Sequence, residues 1–90
     1  MSDFFLTDQV IVVTGAAGGI GRAICEDLSE AGAKIVLAGR NADTLKETAD
    51  SLKIADSLIV STDITNPESV KSLLDATLAK FNRIDGLVNN

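Results

Sequence analysis

Apolar residues along this chain follow two patterns that take turns. Four short stretches are apolar on successive residues: "VIVV" at Val10–Val13, "IVLA" at Ile35–Ala38, "LIV" at Leu58–Val60, and Leu87-Val88 at the start of a fourth. Between them the spacing changes to three and four, as on one face of a helix. Ile20, Ala23, Ile24, Leu28 and Ala31 form the first such stripe, with Arg22, Glu26, Asp27 and Glu30 facing away. Leu45, Ala49 and Leu52 form a weaker second, in a helix that starts near Asn41. Val70, Leu73, Leu74, Thr77, Leu78 and Phe81 form the third and most regular. Gly32 fits a left-handed cap after the first helix. Asn66 fits an N-cap before the third, with Pro67 at the first helical position, where a missing N–H costs nothing.

Strands that are apolar without alternation are buried on both faces, and helices of about a dozen residues between them make βαβ units. The fold expected is therefore α/β, a doubly wound parallel sheet in the order 3-2-1-4. The right-handed crossover rule puts the first two helices on one sheet face and the third on the other. Four strands then present apolar residues to both faces while one face carries a single helix, and the fourth strand has an unpaired edge. Residues 1–90 accordingly read as the N-terminal part of a domain that belongs to a longer protein.

Composition narrows the chemistry. Of 90 residues, 46% are apolar, which excludes a disordered chain. Eight basic against thirteen acidic residues give a net charge of −5, spread along the chain, which argues against nucleic acid or an anionic membrane as partner. The segment Met1–Gln9 has acids, no bases and no long apolar run, so it reads as neither a leader nor a membrane span. There is no His, Tyr or Trp and only one Cys. His-dependent nucleophile systems and the usual metal sites are thereby excluded within these residues, and no metal is expected. Cys25 reads as a small core filler, and a single cysteine suits a reducing, cytoplasmic setting.

The segment "TGAAGGIG", Thr14–Gly21, places four glycines between the first strand and the first helix. A loop in that position aims the free N–H groups of the helix at the crevice above the sheet, where the helix end carries partial positive charge. Glycine lets a phosphate approach the backbone, and the last glycine lets the helix pack close to the strand. A plain Gly-rich turn is the competing reading. The spacing Gly15-x-x-x-Gly19-x-Gly21 is not G-x-G-x-x-G, and no Gly-Lys-Ser/Thr follows.

At these residues the sequence resembles the short-chain dehydrogenase/reductase family, whose glycine motif is T-G-x-x-x-G-x-G; Thr14, Gly15, Gly19 and Gly21 match it in order. Asp63-Ile64 in "STDIT" resembles the family's Asp-hydrophobic pair after the third strand, and "DGLVNN", Asp85–Asn90, resembles the start of its N-N-A-G motif. The resemblance implies a Rossmann domain that binds a nicotinamide dinucleotide. It implies that Gly15, Ala17, Gly18, Gly19, Ile20 and Gly21 line the pyrophosphate and adenosine ribose. Asp63 would accept from the adenine amino group, the Ile64 amide would reach the ring, and Asn90 would lie near the ribose. Thr14 and Asn89 would brace loop and strand, and Arg22 reads as a solvated helix residue.

The end of the second strand bears on which dinucleotide. An acid there holds a 2′-hydroxyl, but this chain reads "AGRN", and Arg40 offers a fork for a 2′-phosphate. One such contact near 4 Å is worth roughly 4 kcal/mol at an effective dielectric near 20, before desolvation. NADP is therefore the expected cofactor, with NAD possible. Gly18 stands where NADP-preferring members often carry a second base. The family's Ser and Tyr-x-x-x-Lys have no counterpart here, so no catalytic residue is assigned and the chain alone is expected to be inactive. The resemblance implies, for the full-length protein, a ketone reductase or alcohol dehydrogenase such as a 3-oxoacyl-thioester reductase, acting on a small carbonyl or alcohol substrate as a homo-oligomer. A dinucleotide-binding sensor without chemistry, or a phosphate-binding domain for another nucleotide, are the alternatives.

Overall fold

The computed structural model describes residues 6–54 and 56–90. The N-terminal reading given above lies, as far as Phe5, outside the described residues. The elements alternate throughout: β1 (Val10–Thr14), α1 (Gly19–Glu30), β2 (Lys34–Gly39), α2 (Ala42–Leu52), β3 (Ser57–Ser61), α3 (Pro67–Phe81) and β4 (Gly86–Val88). The four strands form one parallel sheet in the order β3-β2-β1-β4, as the sequence pattern predicts. Each apolar run is one or two residues shorter than its strand, because the pairing extends into polar ends such as Lys34 and Ser61.

The continuous apolar runs have the cause inferred for them. Ile11, Val13, Ile35 and Leu37 point to one face and pack with Cys25, Leu45 and Ala49 of α1 and α2. Val10, Val12, Val36 and Ala38 point to the other, against Leu73 of α3, with Phe81 at the margin. Eight strand residues thus supply two cores, and β1 and β2 are buried along almost their whole length. Full burial of a Val, Leu or Ile side chain is worth about 1.5–3 kcal/mol.

Two stripes differ from their spacing. In α1, Ile20 is 71% exposed and Ala23 is exposed, whereas Gly21 and Cys25 are buried. The inward face is rotated toward Gly21, whose lack of a side chain brings the start of the helix against the glycine loop; hydrophobic spacing does not register a glycine as inward. In α3, Leu73 and Thr77 are buried but Leu74 and Leu78 are 38% and 46% exposed, because α3 is the one helix over its sheet face among the described residues. Thr77 tolerates full burial by donating to the Leu73 carbonyl at 2.8 Å, and Thr48 of α2 does the same to Thr44 at 3.0 Å.

The Gly32 and Asn66 caps follow the sequence, and Asn41, read only as near the start of the second helix, is its N-cap. Gly32 has φ of 95° just after α1. Asn41 and Asn66 accept from the second and third amides of α2 and α3, and Pro67 opens α3. Cys25 is fully buried, and burial pushes its thiol up to about 11, so at neutral pH it is a protonated core filler.

Asp85 joins β4 to β1 at the end of the sheet opposite the glycine loop. Its carboxylate accepts from the Val10 amide at 2.7 Å, its own amide donates to the Val10 carbonyl at 2.8 Å, and Arg83 forks onto it at 2.6 and 2.8 Å. The Arg83 bonds, then the Val10 amide, hold the Asp85 carboxyl below the ordinary carboxylate value of 3.8. A group depressed in the folded state contributes stability that is complete above its unfolded value and is lost as pH falls through the folded one. Asp85→Ala is therefore expected to lower the urea midpoint at pH 7. The gap between variant and parent should close as the pH is taken below 3.8, which urea titrations at a series of pH values measure.

Candidate functional site

Every candidate residue lies at the C-terminal edge of the sheet, on the loops that leave the four strands. The loop after β1 holds Gly15, Ala17 and Gly18, and α1 begins with Gly19, Ile20 and Gly21. The loop after β2 holds Arg40, the loop after β3 holds Asp63 and Ile64, and Asn90 follows β4. Parallel strands direct all four exits to one side, and the reversal of strand order between β1 and β4 opens a crevice there.

The start of α1 differs from those of its two neighbours. Its N-cap is Gly18, which has no side chain to accept from the first turn, and that turn carries no acid. The caps of α2 and α3 are asparagines, followed by Asp43 and Glu68 in the first turn. Among the described residues no acceptor is bonded to the amides of Gly19, Ile20 and Gly21, and helical bonding begins with Arg22 N–H on the Gly18 carbonyl at 2.7 Å. Three donors at the positive end of a helix thus face an exposed loop, an arrangement suited to an anion.

The glycines have distinct tasks. Gly15 turns the chain with φ of 62°, and a Cβ there would come 3.2 Å from Asn90 Nδ2. At Gly21 a Cβ would overlap the Gly15 carbonyl oxygen and lie 2.9 Å from its carbon. The close approach that requires Gly21 is therefore between helix and loop, not between helix and strand as the sequence reading had it. Around Gly19 nothing lies within 4 Å of such an atom, so that position is open toward solvent.

The other loops are tied to this one. The Thr14 hydroxyl lies 3.3 Å from the Val88 carbonyl and 3.2 Å from Asn89 Oδ1, and accepts from the Asn90 amide at 3.1 Å. Asn90 Nδ2 donates to the Gly15 carbonyl at 3.2 Å. Thr14 and Asn89 brace β1 against β4 as expected, and Asn90 is part of the same brace. On the other side, the Thr62 amide donates to the Gly39 carbonyl at 2.6 Å and Ser61 Oγ to the Arg40 carbonyl at 3.0 Å.

Asp63 sits in a dense knot. Its Oδ1 accepts from the Thr65 amide at 2.9 Å, from the Thr65 hydroxyl at 2.6 Å and from Arg40 Nη2 at 3.3 Å. The Thr65 hydroxyl and then its amide hold the Asp63 carboxyl below the usual carboxylate range, with Arg40 a smaller influence. Its amide donates to Ser69 Oγ at 2.8 Å. Oδ1 takes all three of these bonds, and no donor is bonded to Oδ2 among the described residues. The Ile64 amide has no partner among the described residues, and its side chain is 54% exposed. Sequence reading missed Thr65, Ser61 and Ser69. Asp-x-Thr is the local signature of a side chain capping its own turn and would have found Thr65; the Ser61 and Ser69 contacts depend on tertiary placement. Arg22, read as solvated, is half-buried and donates to Ser51 Oγ of α2.

Comparison with known proteins bears on the family and the fold. The sequence profile of the family described as short chain dehydrogenase matches residues 9–90. An uncharacterized oxidoreductase of Staphylococcus aureus is 46% identical over 85 residues, covering 94% of this chain and 37% of that protein. The chain thus spans little more than a third of that relative's length. Among solved structures, a citronellol catabolism dehydrogenase of Pseudomonas aeruginosa superposes with a TM-score of 0.93 at 36% identity, covering all of this chain and 38% of that one. A metagenomic short-chain oxidoreductase in complex with NADP gives 0.86 at 34% identity, covering 93% and 39%. A 3-ketoacyl-(acyl-carrier-protein) reductase of Brucella melitensis complexed with NADH gives 0.85 at 29%, covering 91% and 33%.

The different tasks of Gly19 and Gly21 separate in stability. Gly21→Ala forces backbone apart and should cost about 1–3 kcal/mol. Gly19→Ala enters open space at the first helical position and should be neutral or stabilise by up to about 1 kcal/mol. Urea unfolding of the two variants side by side measures the contrast.

Proposed function

This chain belongs to the short chain dehydrogenase family, and from that premise we propose that it is the cofactor-binding N-terminal part of an oxidoreductase that uses NADP in preference to NAD. The observation that carries the proposal is the bare N-terminus of α1, uncapped and free of acid, when α2 and α3 are both asparagine-capped. Two helices capped by side chains and a third with free first-turn amides support the reading of that third N-terminus as the diphosphate site.

The residues fit such a group. The amides of Gly19, Ile20 and Gly21 would hold the diphosphate, and the open space at Gly19 would admit it. Ala17 and Gly18, both exposed, would line its path, and Gly15 would shape the turn beside Asn90 and the ribose. Asp63 Oδ2 would accept from the adenine amino group, and the unbonded Ile64 amide would meet the ring. A bound nicotinamide dinucleotide supplies the two-electron exchange with a carbonyl or alcohol carbon. This chain would hold and orient it, and with no tyrosine among its residues none is assigned the proton transfer to the substrate. We take the substrate to be a small ketone or alcohol, with a 3-oxoacyl thioester a candidate by likeness to the Brucella protein, and the whole protein to be a cytoplasmic homo-oligomer. Among the described residues no helix is long and apolar enough to cross a membrane.

Arg40 is the basis for preferring NADP. Its side chain is 75% exposed, so the dielectric around it approaches that of water and a contact near 4 Å is worth about 1 kcal/mol, not 4. The preference it gives is correspondingly a few-fold. Fluorescence titration of the whole polypeptide with NADPH and NADH tests both parts. Gly19→Leu should weaken both cofactors at least about tenfold while the thermal midpoint holds, and unchanged affinity would remove the diphosphate site. Arg40→Asp should reverse the order of NADPH and NADH by about tenfold in their ratio, since it replaces attraction by repulsion.

A further inference from the structure

We infer that Asp63 is a second specificity-determining residue for the 2′ position, one that restrains the preference Arg40 confers; the inference rests on the reading of Arg40 as the contact to a 2′-phosphate. The loops after β2 and β3 are joined by two backbone-directed bonds, Thr62 to Gly39 and Ser61 to Arg40, so the bases of the two side chains are held at fixed spacing. Within that frame the two charges are held unequally. The Asp63 carboxylate is pinned by both Thr65 donors, and its amide by Ser69. Arg40 is three-quarters exposed, and among the described residues its side chain makes a single contact, through Nη2 at 3.3 Å, which leaves its other donors available.

The anion is therefore stationary and the cation is shared. A 2′-phosphate that engages the free donors of Arg40 meets a guanidinium whose charge Asp63 already offsets, and brings a second anion near the first. A 2′-hydroxyl carries no charge and meets no such opposition. Asp63 thus weakens the phosphate-bearing ligand selectively, while its Oδ2, which has no donor among the described residues, serves the adenine of both ligands alike. One carboxylate would then do two things: recognise the base through Oδ2 and, through Oδ1, keep the site open to cofactors with and without the phosphate.

The test compares adenosine 2′,5′-bisphosphate with adenosine 5′-monophosphate, which differ only at the 2′ position, by calorimetric titration of the whole polypeptide at low salt. Asp63→Asn keeps the Oδ1 acceptor for Thr65 and removes the charge. It should raise the affinity ratio in favour of the bisphosphate about fivefold, the upper range for an exposed ion pair, and the gain should shrink as salt is added. In an Arg40→Ala background the same substitution should change the ratio less than about twofold. Because both ligands share the adenine and the 5′-phosphate, a general disturbance of the loop cancels in the ratio. A ratio that stays put or falls in Asp63→Asn overturns the inference, as does a gain that persists undiminished without Arg40. If Arg40→Ala alone leaves the parent ratio unchanged, it is the reading of Arg40 that fails; if neither ligand binds the parent, the dinucleotide site fails.

Discussion

The contact between Gly21 and the carbonyl of Gly15 is the constraint from which the rest of the site follows. No side chain fits between them, since a Cβ on Gly21 would overlap that oxygen. The first turn of α1 is therefore set directly against the loop it emerges from. The same carbonyl accepts from the Gly18 amide at 3.1 Å and from Asn90 Nδ2 at 3.2 Å. One backbone oxygen is thus where the turn closes, the helix starts and the end of β4 attaches. With the carbonyl occupied from within, the amides of the first turn remain for an external acceptor.

The sheet supplies the rigidity that this contact needs. β1 is central, paired with β2 on one side and β4 on the other, and its side chains are buried on both faces. It is tied to β4 at each end by a different device: Asp85 on Val10 at the start, and Thr14 with Asn89 and Asn90 at the finish. Three residues of β4 in register with β1 would be a weak ladder alone, and these polar ties fix it. The glycine loop thus leaves a strand that is fixed along its length.

The α3 face has another character. Leu87 on β4 is 62% exposed, and Leu74 and Ile64 border the same groove, while Leu78 is exposed farther along α3. The regular stripe read along α3 is real as a pattern, but a stripe records which residues a helix can bury, not how many neighbours it has to bury them against. Leu73 and Thr77 found the sheet, and their neighbours one position round did not.

Strand runs, helical stripes, the start of the second helix near Asn41, the Asn66 cap and the glycine spacing were all legible in the sequence, because each depends on residues within a turn or two of one another. From them followed the parallel sheet, its order, the distribution of helices over its faces and the loop that leaves β1. What tertiary structure decided depends on residues far apart in the chain. It rotated the buried face of α1 toward Gly21, and set that glycine against the Gly15 carbonyl where a strand contact was expected. It brought Arg40 within 3.3 Å of Asp63, turning two separately read residues into a pair, and placed Ser61 and Ser69 around them. Local periodicity carries no information about such approaches, since a backbone carbonyl or a glycine hydrogen has no hydropathy; only the packed fold states how close they come.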